Sequence, residues 1–327
     1  MTSVSAPPAD TGSIQQTRTG MLALVEHRLR HLRAQQEAHR FDDTGPRAAQ
    51  PAEDLAALVA DGGTRLRPVF CVSGFLAAGG NPKDPVAVDT CAALGLLHQH
   101  PCARLHDDNT SAAEDVALFG DHARAYADRL ATRLPAAART VWNDLRTEPA
   151  TGPHPDNAAA ATAEDVAGSA PFGHRAVPGP GRGTLHRPLV LGALLAGRPE
   201  LAPAFESYGL ALGEACRLRD DLIDVFGPTQ DTDRPTGPGP ARHRTTLLLA
   251  LAAERSPHAG ALLARNGHAD AALLRRLLDE SGTKATAERR IAGLVDKACA
   301  ALATPALGRP WRQEFSRLAT RLAYRGD

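Results

Sequence analysis

A chain of 327 residues that is 43% hydrophobic has apolar side chains enough for a sizeable core, and its length falls between one large domain and two. Its 37 basic residues balance its 37 acidic ones, so no cationic surplus exists to displace counterions from a nucleic acid. The five cysteines, Cys71, Cys91, Cys102, Cys216 and Cys299, are odd in number, lack metal-ligand spacing and read as reduced, mostly packed thiols.

The opening MTSVSAPPADTGSIQQTRTG has no apolar core and reads as neither signal peptide nor anchor. Residues 1–17 are polar and rich in Pro, Ser and Thr, the composition of a disordered tail ahead of a helical domain over 18–327. Helical spacing begins in MLALVEHRLRHLRAQQ, with Leu22, Val25, Leu29 and Leu32 on one face. Similar patterns predict helices over 53–60, 66–80, 85–99, 111–134 and 206–226. Further ones fall at 244–255, 268–280, 286–303 and 311–325. The apolar runs at 189–197 and 247–253 are far shorter than the roughly 20 residues of a membrane span. No stretch alternates with period two or is enriched in β-branched residues. An all-α domain of about ten helices is expected, interrupted by loops at 147–157, 171–188 and 226–243, in a cytoplasmic protein.

RLRDDLIDVFG, residues 217–227, carries the most chemistry. On a helix, Arg217, Asp220, Asp221 and Asp224 fall within an arc of roughly 100°, and Leu218, Leu222 and Val225 share another. Like charges at this spacing repel unless a cation sits among them. That cation is Arg217, bulk salt or a bound metal. A second acidic pair, Asp107 and Asp108, ends the helix before it in LHDDNTS. Two such helix ends facing each other across a bundle suit Mg²⁺, which takes carboxylate oxygens and keeps room for phosphates. A solvated helix end is the plainer reading of Asp107 and Asp108 taken alone. In GGTRLRPV, residues 62–69, a glycine pair leads into a helix with Pro68 in its first turn. Arg65 and Arg67 then stand at a positive helix end, either as an anion site or as solvated arginines.

In this order the motifs resemble the trans-isoprenyl diphosphate synthase (polyprenyl synthetase) family. GGTRLRP is similar to that family's GGKRLRP, LLHQHPCARLHDD to its ELIHTASLIHDD, and CRLRDDLIDVFG to its FQLRDDLLDVFG. The similarity runs on through LHRPLVLGALLAG and DRPTGPGPARHRTT (compare GKPxGxDLxxGKxT), covering roughly residues 50–305. The resemblance implies an all-α prenyltransferase, usually dimeric, with Mg²⁺ between two aspartate motifs. There the metal ionises an allylic diphosphate and isopentenyl diphosphate attacks the cation. By position it implies Asp107, Asp108, Asp220 and Asp224 as metal ligands, with Asp221 in the same catalytic motif. It implies Arg67 and His100 at the isopentenyl diphosphate site, beside the Arg65 noted above. Arg234 and Arg244 then occupy lysine positions that touch the allylic diphosphate. Only Lys83, Lys284 and Lys297 are lysine, so 37 − 3 = 34 of the basic residues are arginine, and such swaps follow the chain's general bias.

The departures fall on the chemistry. Ser111 stands at the last aspartate of the first motif, and the paired-arginine loop after it is missing. Thr64 replaces the lysine of GGK, GPGRG at 179–183 replaces KTAxY, with Arg182 a stand-in, and Arg217 replaces the glutamine of FQ. Pro153 and Gly239 replace a glutamine and an aspartate, and Pro101 interrupts a helix. Charge-assisted bonds to anions contribute about 1.5–3 kcal/mol each, so these losses remove on the order of 6–10 kcal/mol from diphosphate binding unless other groups compensate. Three readings follow. One is a working synthase; in the family it resembles, the residues four and five before the first aspartate set chain length, and the small Ala103 and Cys102 at those positions imply a product of about C20 or longer. Another is a degenerate partner or regulatory subunit of an active synthase. The third is a cyclase or other-acceptor prenyltransferase. NDLRTEPAT begins like the metal motif of class I cyclases but has Thr151 at its glutamate, and 4% aromatic content is low for guiding carbocations.

Overall fold

The computed structural model describes residues 11–39, 66–97, 121–147, 182–226, 248, 251 and 271–325. Among these every regular element is helical, so the protein is all-α as its periodicity requires. The chain divides into two compact units, one of Met1–Ala150, Gly183–Glu206 and Ala303–Glu314, the other of Thr151–Arg182, Ser207–Leu302 and Phe315–Asp327.

In the first unit, α1 (Thr11–His39) packs on α2 (Leu66–Ala77) and α3 (Pro85–Leu96). It buries Ile14, Met21, Val25, Leu29 and Leu32 in one stripe. The helix thus starts at Thr11 and takes in residues 11–17, which composition alone assigns to a disordered tail. The reason lies in Ile14, which continues the apolar stripe and is 0% exposed, and in Gln15 and Arg18, whose side chains reach the buried Glu314 at 3.1 and 2.8 Å. α3 is apolar all round, and everything from Ala87 to Leu96 is buried. Asp84 caps it by accepting from the amides of Val86 and Ala87 at 2.8 and 3.0 Å, and Pro85 fills the first helical position. The one carboxylate in that helix, Asp89, is clamped by Arg28 at 2.5 Å and Arg133 at 2.8 Å.

Two elements of this unit were not legible as helices. α4 (Ala136–Thr147) buries only Ala138, Trp142 and Leu145, a stripe too thin to stand out in sequence. Asn143 and Asp144, the start of the cyclase-like motif, lie exposed on its other side. α5 (Arg182–Leu195) begins inside the expected loop at 171–188 and carries Pro188 within it. Proline there forfeits one backbone bond, and the burial of Leu185, Leu189, Leu191 and Ala193 outweighs that loss. α5 also meets α2 backbone to backbone. A Cβ on Gly74 would lie 2.3 Å from the Leu189 carbonyl oxygen, and one on Gly192 would lie 2.3 Å from that of Cys71.

The second unit is built on α6 (Ala202–Phe226) from Ser207 onward, α7 (Ala271–Glu280), α8 (Thr283–Ala301) and the last part of α9 (Arg309–Ala323). Leu212, Ala215, Leu218 and Leu222 of α6 are buried, as are Ala287, Ile291, Val295 and Ala298 of α8. Tyr208 donates its hydroxyl to the Phe315 carbonyl at 2.8 Å, and the two rings pack with centroids 5.3 Å apart. Gly282, at φ 66°, makes the tight turn from α7 into α8, a left-handed position that favours glycine.

Candidate active site

α6 separates its two stripes as the sequence predicts. Leu218 and Leu222 go inward, and Asp220 leaves 52% of its side chain exposed on the other face. Asp221 is half-buried and accepts from the Leu248 backbone N–H through Oδ2 at 3.3 Å. Asp224 is placed by its backbone, one turn beyond Asp220 and on the same side.

The cation beside Asp220 is Arg325, which donates from Nη2 to Asp220 Oδ1 just past the end of α9. Arg217, one of the three candidates for the neutralising cation, makes no ion pair with Asp220 or Asp221 among the described residues. The chain end is brought there by Arg219, a residue that sequence reasoning passed over. It is 3% exposed, donates from Nε to the Ala323 carbonyl at 2.7 Å, and pairs with Glu288 at 2.8 Å while lying 5.5 Å from the Tyr324 ring centroid. A guanidinium at the last carbonyls of α9 is favoured by the negative end of that helix. The one sequence signal for it was an arginine on the apolar side of an amphipathic helix. Charges also gather at the C-terminus of α6 itself. Arg275 donates from Nε to the Val225 carbonyl, and the Lys284 ammonium sits 4.5 Å from the Phe226 ring centroid.

Cys216, one turn before Asp220, feels this charge pair. Burial pushes its thiol up to about 11, Arg325 opposing and Asp220 reinforcing the shift. Burial by itself would lower the pKa of Arg325, and the bond to Asp220 together with its charge outweighs that and raises it. Burial, the largest effect, keeps Cys216 a protonated, inert thiol at neutral pH.

Arg67 lies in the first turn of α2, in the first unit, and is 3% exposed. A buried guanidinium at a helix start is not the solvated arginine of the plain reading. Arg65, His100, Asp107, Asp108, Arg234 and Arg244 lie outside the described residues, as do Pro101, Cys102 and Ala103. Among the described residues no three His, Cys, Asp or Glu side chains come together as a metal site.

No family model matches the chain. A farnesyl diphosphate synthase from Geobacillus stearothermophilus is 27% identical over 225 residues, covering 58% of this chain and 72% of that protein. A candidate geranylgeranyl pyrophosphate synthase from Corynebacterium glutamicum superposes with a TM-score of 0.69 at 26% identity, over 94% of this chain and 97% of its own. A Corynebacterium glutamicum geranylgeranyl pyrophosphate synthase complexed with isoprenyl diphosphate and magnesium has a TM-score of 0.66 at 24% identity, over 95% of this chain and 98% of its own.

Proposed function

We infer the activity of this chain from the family to which it belongs, the trans-isoprenyl diphosphate synthases, of which it is a divergent member. Its relatives are prenyltransferases. We propose that it condenses isopentenyl diphosphate with an allylic diphosphate in a Mg²⁺-dependent reaction, in the cytoplasm and as a dimer with itself or a related synthase. The observation that carries this reading is the Asp220 carboxylate, exposed on α6 opposite a buried apolar stripe and one turn before Asp224. A helix whose only purpose was packing would gain nothing from that repulsive row.

The donors suit the metal. Mg²⁺ favours hard carboxylate oxygens with room for water and phosphate, and the half-exposed Asp220 offers both. Asp220 and Asp224, with Asp107 and Asp108, would hold it, and bound there it would neutralise the departing diphosphate. The chain's own cations do the rest of the binding. Arg67, together with Arg65 and His100, would receive isopentenyl diphosphate, and the buried setting of Arg67 strengthens a charge-assisted bond to an anion. Arg234 and Arg244 take the allylic diphosphate, as planar forks where the family uses point charges. The small Cys102 and Ala103 suit a product of about C20 or longer.

The ion pair from Arg325 to Asp220 favours a second reading, a regulatory or partner subunit whose metal motif is already neutralised within the chain.

The test is product formation from labelled isopentenyl diphosphate with five-, ten- and fifteen-carbon allylic diphosphates and Mg²⁺. Chain elongation is expected, and Asp220→Ala should reduce it by more than the roughly 10–100-fold that loss of a metal's outer-shell partner costs. Silence with every primer would remove synthase activity of the chain alone, and a change in rate or product on mixing with an active synthase would then establish the partner role.

A further inference from the structure

On the synthase reading, the diphosphate of the allylic substrate meets α6 along its acidic stripe, and Arg217 opens that stripe one turn before Asp220 and Asp221. Three carboxylates near it on α6 have partners of their own among the described residues. Glu214 takes Arg290 through Nε at 3.0 Å and Nη2 at 2.6 Å, Asp220 takes Arg325, and Asp221 accepts the Leu248 amide. Arg217 is half-buried, and its Nε is shut off from solvent with no acceptor among the described residues. A buried donor of a charged group left without an acceptor is costly and rare enough to call for an explanation. The sequence supplies a direction. The related family carries a neutral glutamine at this position, and the chain that acquires a cation here has Thr64 and GPGRG where the family keeps lysines.

We propose that Arg217 is a diphosphate-binding residue of the allylic site, donating to phosphate oxygens held along α6 and making good part of the positive charge lost elsewhere. Three conditions meet in it. It lies on the face that carries Asp220 and Asp224, it pairs with no carboxylate among the described residues, and its planar fork can donate two parallel bonds to one phosphate. Arg219, by contrast, has its guanidinium met by the Ala323 carbonyl and Glu288, whereas the Nε of Arg217 has no acceptor among the described residues.

The experiment is calorimetric titration of the full-length protein, in MgCl₂, with inorganic pyrophosphate, with farnesyl thiodiphosphate as a non-ionising allylic analogue, and with isopentenyl diphosphate. Wild type, Arg217→Gln and Arg217→Lys are compared. Arg217→Gln restores the family's residue and should unfold no earlier than wild type, since it removes a buried, unpaired donor. It should bind pyrophosphate and the thiodiphosphate at least tenfold more weakly, the scale of one charge-assisted bond. Arg217→Lys should recover part of that loss, and isopentenyl diphosphate binding should be unchanged. Wild-type and Arg217→Gln proteins that bind the thiodiphosphate equally would overturn the role of Arg217 and leave the synthase reading standing. A loss confined to isopentenyl diphosphate would overturn the assignment to the allylic site. Failure of the wild type to bind any diphosphate would remove the synthase reading itself and this inference with it.

Discussion

Arg217 and Arg219 stand two residues apart on α6, which at 100° per residue turns their side chains to nearly opposite sides of the helix. Arg217 shares the polar stripe with Asp220, and Arg219 lies among Leu212, Leu218 and Leu222 in the core. A guanidinium is stable in such surroundings only when its donors and its charge are met. Arg219 meets both conditions through the Ala323 carbonyl and Glu288. Its replacement by alanine leaves a carbonyl, a carboxylate and a cavity without their partner. Arg219→Ala should therefore cost about 2–4 kcal/mol in urea unfolding, and lysine should restore only part of it because it cannot make the same fork. Arg325→Ala breaks an exposed pair and on the same scale is worth little.

At the scale of the element, the crossing of α2 and α5 depends on the absence of two side chains. Gly74 and Gly192 are both buried, and a Cβ on either would come within 2.3 Å of a backbone oxygen, an atom that cannot swing aside. Gly74→Ala should destabilise the protein by about 1–3 kcal/mol or more through forced separation of the helices. Gly293 on α8 is the contrasting case, exposed and with nothing within 4 Å of a built Cβ. Gly293→Ala should instead add about 0.5–1 kcal/mol, because alanine loses less backbone entropy in a helix. Opposite shifts of the urea midpoint for the two variants check both statements. Boundaries follow the same logic of local and distant forces. α2, α3, α7, α8 and α9 were legible to within three residues at each end, because their stripes are broad or their caps sit in the sequence, as Asp84 and Pro85 do for α3. α4 and α5 were not, because packing from outside decides both.

For the whole molecule, the buried thiols set a limit at high pH. Cys71 in the first unit is raised well above the usual thiol value, by burial first and by its bond with Cys91 second. Cys216 in the second is raised to about 11 by burial. Each folded thiol holds its proton at pH values where the unfolded chain has released it, so the unfolded state binds fewer protons and stability falls as pH rises. The contribution is fully present below about pH 8.5 and declines from there through pH 11, by up to about 3 kcal/mol for Cys216. Urea unfolding at pH 8, 9.5 and 11 should show that decline, and Cys216→Ala should lessen it; a flat profile would rule the mechanism out.

Sequence by itself determined the all-α class and the two-faced character of α6, because both rest on a period of 3.6 residues that any helix imposes on its own side chains. It also placed Asp220, Asp221 and Asp224 on one side and carried the family resemblance in contiguous motifs. It could not decide which cation stands beside Asp220. Arg217 was the candidate within one turn, and the partner is Arg325, 105 residues away. That choice belongs to tertiary structure: Arg219 anchors the last carbonyls of α9, 104 residues distant, and so delivers the chain end to the acidic face. The same holds for Ile14, which looks like a stray apolar residue in a polar tail until Gln15 and Arg18 are seen holding Glu314. Periodicity is local, whereas the pairing of buried charges is set by where the ends of packed helices arrive.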